Sequence, residues 1–205
     1  MIARRTLLAT AIVALPSGVW AQDTAAIRKP IVDLYAALEL LMRMGPSTPF
    51  PTRFQSLAPV IDRIYDLTTV LRVSVGTRWT SFDDATRKEL MDAFRAFTIA
   101  SFVANFDKYE GEKFEVMPET RVVGNSQVVQ TRIVSENGEP IRLDYVMESS
   151  EAGWRVTDVL ADGTISRVAV QRSDFRSLLA HGDATDLIAS LRQKVVRLSG
   201  GTIGA

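Results

Sequence analysis

The sequence predicts an α+β fold in which a curved, mainly antiparallel sheet of four or five strands is covered by several helices. Segments with helical periodicity open and close the chain, and segments that alternate with period two lie between them. Asn137-Gly138 separates two alternating segments and is a strong hairpin signal. The second segment places four apolar side chains on one strand face: Ile141, Leu143, Tyr145 and Met147. An antiparallel sheet with one apolar face requires a cover, which the helices supply.

The N-terminus has the pattern of a cleaved export signal. The basic pair Arg4-Arg5 precedes an apolar run, 7–15, that is shorter than the roughly 20 residues needed to cross a bilayer. The small residues Val19 and Ala21 suit signal peptidase, so we expect the mature chain to begin at Gln22. Sec export is the default, although the arginine pair leaves the twin-arginine route open.

The composition argues against nucleic-acid binding and against disulfide bonds. The 24 basic and 24 acidic residues cancel, so no basic field attracts nucleic acid. The chain has no cysteine, so its stability must come from a hydrophobic core, which a chain of this size can build as one domain. We expect three segments, namely a signal peptide at 1–21, a single domain at 22–198 and a flexible tail at 199–205.

The first half of the chain is predicted to be helical. Residues 25–44 place their apolar side chains on one stripe, and the proline-rich segment 45–51 ends that helix. A second helical stretch covers 54–65, where Pro59 is expected to kink or divide it. Asp66 is expected to cap a third, short helix.

The longest predicted helix, 82–108, has two bulky apolar stripes instead of one. Ser81 and Asp84 have the spacing of a capping box at its start. Its first stripe consists of Leu90, Phe94 and Phe97, and the second of Met91, Ile99, Phe102, Phe106 and Tyr109. Two explanations remain open, because the second stripe can pack against protein or line an apolar pocket between the helices and the sheet.

The second half begins with strands and returns to helices. Strands are predicted at 114–117, 121–123, 127–135, 141–148 and 154–160. At Ser166 the period changes to that of a helix, which Gly182 ends. Asp183 is expected to cap the last helix.

Residue types that carry catalysis are scarce. The chain has no cysteine, no cluster of metal ligands and a single histidine, His181, at a predicted helix end, where a capping or solvated role is expected. There is no Gly-x-Ser-x-Gly elbow and no glycine-rich phosphate loop. Asp158 and Asp162 are expected to accept hydrogen bonds from a turn or an arginine. We therefore expect no catalytic residue, no metal site and no cofactor.

Several short motifs follow one another in a fixed order along most of the chain. They are Phe54-x-x-Leu57-x-Pro59-Val60, Gly76-x-x-Trp79, Ala93-Phe94-Arg95-x-Phe97, Tyr109-x-Gly111-Glu112-x-Phe114 and Arg142-Leu143-Asp144-Tyr145. Together with the block 153–182 they resemble the MlaC (toluene-tolerance, Ttg-type) family of periplasmic lipid-binding proteins. Within that block, 162–166 and 172–175 look most like the hopanoid-associated branch, HpnM.

The resemblance implies a lipid-binding domain with a cystatin- or NTF2-like sheet, located in the periplasm. It implies a carrier that shuttles a hopanoid or a phospholipid between membranes. The implied partners are components of an inner-membrane ABC transporter, with an outer-membrane lipid acceptor as a further candidate. From the apolar faces and the family, the expected ligand-binding residues are Phe97, Phe102, Phe106, Tyr109, Leu143, Tyr145, Met147, Val159, Ile165 and Val168. Arg142 or Arg167 is the expected contact for a phosphate or hydroxylated head group.

Two other classes of protein stay open at this point. An NTF2-like periplasmic enzyme would need an acid–base pair in its pocket, for which Asp144 and Asp158 are the candidates. A structural or adaptor protein would have a filled core, and its aromatic residues would contact only protein.

Overall fold

The computed structural model describes residues 18–136 and 138–204. Six α-helices and five strands lie in this part of the chain. The helices are α1 Gly18–Met44, α2 Phe50–Ile64, α3 Leu67–Val75, α4 Asp84–Asn105, α5 Arg167–Leu178 and α6 Thr185–Leu198. The strands are β1 Lys113–Val123, β2 Ser126–Val134, β3 Ile141–Ser150, β4 Gly153–Ala161 and β5 Ile165–Ser166. Most of the predicted signal peptide, and Asn137 in the predicted turn, lie outside the described residues.

The five strands form one antiparallel meander in the order β1-β2-β3-β4-β5. The predicted α+β class and the predicted hairpin between β2 and β3 are therefore confirmed. The first two predicted strands are in fact one strand, β1, whose register shifts between Val116 and Thr120. Pro118 lies inside this irregular stretch, and a proline without an N–H group is tolerated at such a bulge on an edge strand.

Helices α2 and α4 differ from the predicted ones. Helix α2 continues through Pro59, because both Pro59 and Gln55 are exposed and water can solvate the carbonyl that the proline leaves unpaired. Helix α4 is capped by Asp83, whose carboxylate accepts the Thr86 N–H at 2.7 Å. The predicted cap Ser81 instead ends a 3₁₀ turn and donates to the Arg78 carbonyl at 2.7 Å.

One other predicted cap is confirmed, since Asp66 accepts the Thr69 N–H at 2.9 Å at the start of α3. The predicted cap Asp183 lies one residue too early, because the N-cap position of α6 is Ala184; Asp183 instead accepts the Thr185 N–H at 2.9 Å in the turn before the helix. Beyond α6, the Ile203 N–H donates to the buried Ser199 hydroxyl at 3.2 Å, so a hydrogen bond holds this turn of the C-terminal segment.

The helices cover one face of the sheet. Helix α4 packs on α6 and α2, α1 packs on α2 and β1, and α5 packs on α3 and β4. The core is made of fully buried aliphatic side chains from these helices, among them Leu34, Ile61, Leu71, Ile99 and Leu191. Among the described residues, no helix is both long enough and apolar enough to cross a membrane.

Candidate functional site

A cavity of about 720 Å³ lies between helix α4, helix α5 and the helix-covered face of the sheet. Its volume is in the range of small-molecule sites in proteins. Apolar side chains from helices and strands provide most of its wall, including Phe94, Phe97, Phe102, Phe106, Ile133, Leu143, Val159, Val168 and Phe175. The enclosed surface is suited to an apolar ligand.

One row of residues along α4 forms the helical wall. Phe94, Phe97-Thr98, Ser101-Phe102 and Asn105-Phe106 recur every three or four residues and all line the cavity. The predicted division into two stripes is therefore wrong, because the cavity takes Phe97 from one stripe and Phe102 from the other. Ile99 and Leu90, two other apolar residues of α4, are fully buried in the protein core.

An aromatic chain continues this wall toward the sheet. Phe102 stacks on Phe106 with centroids 6.1 Å apart, and it meets Tyr65 edge-on at 5.8 Å. Phe106 in turn lies 6.2 Å from Phe114, which is 4.7 Å from Tyr35. Phe102 and Phe106 are only partly buried and pack against the core, to which Tyr35 and Tyr65 belong.

The sheet wall follows from the strand register. Leu143 pairs with Thr131 and Ala161, and Tyr145 pairs with Val129 and Val159. Paired residues share a face, so one set of side chains points toward the helices. Of this set, four residues line the cavity: Leu143, Tyr145, Val159 and Ala161.

Two tyrosine hydroxyls lie in the apolar part of the site. Tyr65 and Tyr145 both line the cavity, and they are 7% and 2% exposed. Burial raises the pKa of both phenols well above the usual value, so both are neutral at physiological pH. Tyr145 meets the Tyr35 ring edge-on at 5.9 Å, and the Tyr35 hydroxyl is hydrogen-bonded to Thr131 at 2.5 Å.

Charged side chains surround the opening of the cavity. Lys108, Glu110, Glu112, Arg167, Asp174 and Lys194 all border it. Lys108 and Glu110 pair at 2.5 Å, which raises the pKa of the lysine and lowers the pKa of the glutamate. The Lys194 ammonium lies 5.3 Å from the centroid of Phe97, over its ring. The site therefore combines an apolar interior with a charged rim.

Of the two arginines predicted to meet a head group, only Arg167 borders the cavity. Arg142 instead donates to Asp144 through Nε at 2.9 Å and Nη2 at 2.7 Å. It projects from the opposite face of β3, because neighbouring residues of a strand alternate between faces and Leu143 points into the cavity. The expectation for Arg142 is therefore wrong.

Seven of the ten predicted ligand-binding residues line the cavity, namely Phe97, Phe102, Phe106, Leu143, Tyr145, Val159 and Val168. Tyr109 does not, because α4 ends at Asn105 and the helical period cannot be extended to it; its ring lies under the Arg43 guanidinium at 4.0 Å. Met147 is fully buried in the core, and Ile165 is 52% exposed on the short strand β5.

Sequence reasoning missed several cavity residues. Met42 and Tyr65 come from α1 and the end of α2, and Lys194 comes from α6. Met42 lies on the predicted apolar stripe of its helix, and Tyr65 belongs to the predicted apolar set of 54–65, where either would be assigned to the core. No sequence signal distinguishes a core residue from a cavity residue on such a stripe.

Both carboxylates considered as catalytic candidates, Asp144 and Asp158, already have partners within the protein. Asp144 is fully buried and paired with Arg142. Asp158 accepts hydrogen bonds from the Val159 N–H at 2.7 Å and the Val168 N–H at 3.1 Å, and from the Ser166 hydroxyl at 2.5 Å. It thereby joins β4 to the start of α5, which matches the structural role expected for this carboxylate.

The other titratable groups add no reactive cluster within the described chain. His181 has a side chain that is 80% exposed and lies 3.2 Å from Asp186. No group of three or more His, Cys, Asp and Glu side chains is placed to hold a metal ion in the part of the chain that the structure describes.

The fold and the cavity together define an α+β protein with a pocket for an apolar ligand between a meander sheet and its covering helices. The chain belongs to the MlaC family: the family described as "MlaC protein" matches residues 43–193. The solved structure of a phospholipid-binding protein from Ralstonia solanacearum, in complex with a phospholipid, is similar with a TM-score of 0.71 and 19% sequence identity. The match covers 86% of this chain and 98% of that chain, and it shows a shared fold. No curated protein matches the sequence.

Proposed function

We propose that this protein is a periplasmic lipid-binding carrier that moves a lipid between membranes. The observation that carries the proposal is the apolar cavity of about 720 Å³ with a charged rim, in a chain of the MlaC family. The apolar part of a lipid leaves water when it enters the cavity, and this burial contributes roughly 25 cal/mol per Å². Binding by burial requires no bond to be made or broken, so no catalytic group is needed.

The carrier reaches the periplasm through the signal at 1–21, which is removed after Ala21. Mass spectrometry of the protein from the periplasm gives the start of the mature chain, and we expect Gln22. The working partners are components of an inner-membrane transporter and an outer-membrane lipid acceptor. These partners are inferred from the family, and cross-linking of the exported protein in cells tests them.

The lipid is a hopanoid or a phospholipid. The motifs at 162–166 and 172–175 favour a hopanoid, whereas the similar Ralstonia protein holds a phospholipid. The apolar wall of the cavity is compatible with the apolar part of either, since burial does not depend on direction. Mass spectrometry of the lipids extracted from the purified protein identifies the ligand directly.

A single substitution tests whether the cavity is the binding site. Phe106 is partly buried and lines the cavity, so in Phe106→Asp the carboxylate faces an opening that water can reach. We expect the variant to fold and to lose its lipid. Val122→Asp is the matched control, because Val122 is 68% exposed and does not line the cavity.

Three results would contradict the proposal in different ways. A wild-type protein that never carries lipid favours an adaptor protein. A Phe106→Asp protein that fails to fold shows that this position belongs to a closed core. Equal lipid content in Phe106→Asp and Val122→Asp shows that the lipid binds elsewhere.

A further inference from the structure

Within the described residues, the Tyr65 hydroxyl makes no side-chain hydrogen bond. Tyr65 is 7% exposed and lines the cavity, and its ring packs edge-on against Phe102. Its neighbours Tyr35 and Thr131 hydrogen-bond to each other instead. A ligand that fills the cavity displaces water from the Tyr65 hydroxyl, and a hydroxyl left without a partner is costly, so this group is suited to pair with the ligand.

The neighbouring hydroxyls of Tyr35 and Thr131 are already satisfied, and their proton directions can be assigned. The Thr131 hydroxyl donates to the Leu143 carbonyl at 2.6 Å, so its one proton is used. Tyr35 must then donate to Thr131. This relay ends at a carbonyl and leaves no proton pointing into the cavity.

The hydroxyls on the helical wall are satisfied as well. Thr98 donates to the Phe94 carbonyl at 2.9 Å, and Ser101 donates to the Phe97 carbonyl at 2.8 Å. Both hydroxyl groups therefore donate to backbone carbonyls of α4 itself. Unlike these hydroxyls, the Tyr65 hydroxyl keeps a proton that no acceptor in the described part of the chain takes up.

We propose that the Tyr65 hydroxyl donates a hydrogen bond to an oxygen atom of the bound lipid. This proposal rests on the proposed lipid-binding function and assigns a specificity-determining residue within that site. The lipid group is a hydrogen-bond-accepting oxygen next to the apolar part of the molecule. An ester carbonyl of a glycerolipid and a hydroxyl of a polycyclic lipid both supply it, whereas a pure hydrocarbon does not.

The energetic consequence is a preference for oxygen at one place along the ligand. A lipid that offers the oxygen satisfies Tyr65, and a lipid that lacks it leaves the hydroxyl buried and unpaired. Sites that hydrogen-bond a ligand group discriminate strongly against analogues without that group. The apolar wall alone gives no such discrimination, because burial depends on area and not on the position of an oxygen.

The test compares wild type and Tyr65→Phe with two synthetic lipids of equal chain length. The first is a diester phosphatidylethanolamine, and the second is its diether analogue, which lacks both carbonyl oxygens. Binding is measured by displacement of a fluorescent fatty acid from delipidated protein. We expect Tyr65→Phe to weaken diester binding roughly five- to tenfold and to leave diether binding unchanged, as the loss of one hydrogen bond implies. Tyr109→Phe, which removes a hydroxyl outside the cavity, is the control and should bind both lipids as wild type does.

A second pair of probes separates the two sources of the oxygen. A hydroxylated hopanoid and the parent hopane hydrocarbon are compared in the same assay. A loss on Tyr65→Phe that is confined to the hydroxylated hopanoid supports the proposal and identifies the oxygen as a hydroxyl. Equal binding of all four lipids by wild type and Tyr65→Phe overturns the proposal and leaves the carrier function intact. A wild type that binds none of the four lipids overturns the carrier function and this proposal with it.

Discussion

Arg142 and Asp144, two residues apart on β3, form a two-point ion pair on the face of the sheet opposite the cavity. The guanidinium contacts the carboxylate at 2.9 Å and 2.7 Å. The Asp144 side chain is 0% exposed, whereas that of Arg142 is 45% exposed. The arginine thus shields a buried charge from water, and the pair raises the pKa of Arg142 above its usual value.

Removing the arginine should destabilise the fold. In Arg142→Ala the Asp144 carboxylate keeps its buried position and loses its partner. Because Arg142 is half exposed and water can take its place, we expect a cost of about 1–3 kcal/mol, below the cost for a fully buried pair. Urea denaturation measures it. Arg142→Lys is the control, since it keeps the charge and loses the two-point geometry; an Arg142→Ala protein as stable as wild type would refute the shielding role.

The Arg142 guanidinium also occupies the space that any side chain at position 163 would need, so it favours Gly163 there. This glycine has a φ of +73°, and a Cβ on it would lie 2.6 Å from the Arg142 Cζ atom. Gly163→Ala should therefore cost about 1–3 kcal/mol from the left-handed backbone alone, with an added cost from displacing the arginine. In an Arg142→Ala background the added cost should vanish. Thermal melting of wild type, the two single variants and the double variant gives the coupling energy between Gly163→Ala and Arg142→Ala. Strictly additive effects would show that the contact between position 163 and Arg142 is unimportant.

Phe106→Ala should cost less stability than a core substitution. Phe106 is partly buried and already faces a cavity, so shortening it enlarges an existing space. Deleting a phenylalanine side chain from a packed core typically costs roughly 3–5 kcal/mol. Phe82→Ala is the comparison, because Phe82 is 6% exposed, belongs to the hydrophobic core and does not line the cavity. Equal costs in chemical denaturation would mean that Phe106 belongs to the core.

The Asp83 cap should make stability depend on pH in the acid range. The Thr86 N–H holds the pKa of Asp83 below its usual value. A lowered pKa means that the ionised cap stabilises the fold above about pH 4, the ordinary range for Asp, and that this contribution is lost as the pH falls further. Asp83→Asn keeps a capping oxygen without the charge, so its stability should fall less between pH 7 and pH 3. Parallel melting curves for the two proteins would disprove the assignment.

His181→Ala should leave both stability and lipid binding nearly unchanged. The histidine side chain is 80% exposed and contacts only Asp186, at 3.2 Å, among the described ion pairs. Exposed pairs of this kind contribute little. Lipid content after purification and the melting temperature are the measurements. A variant that melts normally and yet loses its lipid would reveal a site at the α5–α6 loop.

The sequence was sufficient for the fold class because its periodicities change where the elements change. It was less informative about the site, since alternation places Leu143, Tyr145 and Met147 on one face without saying where the helices close over it. The cavity ends before Met147, which is 0% exposed. The contribution of Tyr65 depends on how α2 meets β4, where Tyr65 and Val156 form an isolated parallel bridge. Contacts between such distant residues have no local signal in the sequence.

The hydrogen bonds from Tyr35 through Thr131 to the Leu143 carbonyl give the cavity walls unequal stiffness. They tie α1, β2 and β3 together in a low-dielectric interior, where such bonds are strong. At the rim, the segment 106–112 is held in part by exposed contacts, such as the pair of Lys108 and Glu110. We therefore expect the rim segment to open more readily than the wall formed by α1, β2 and β3.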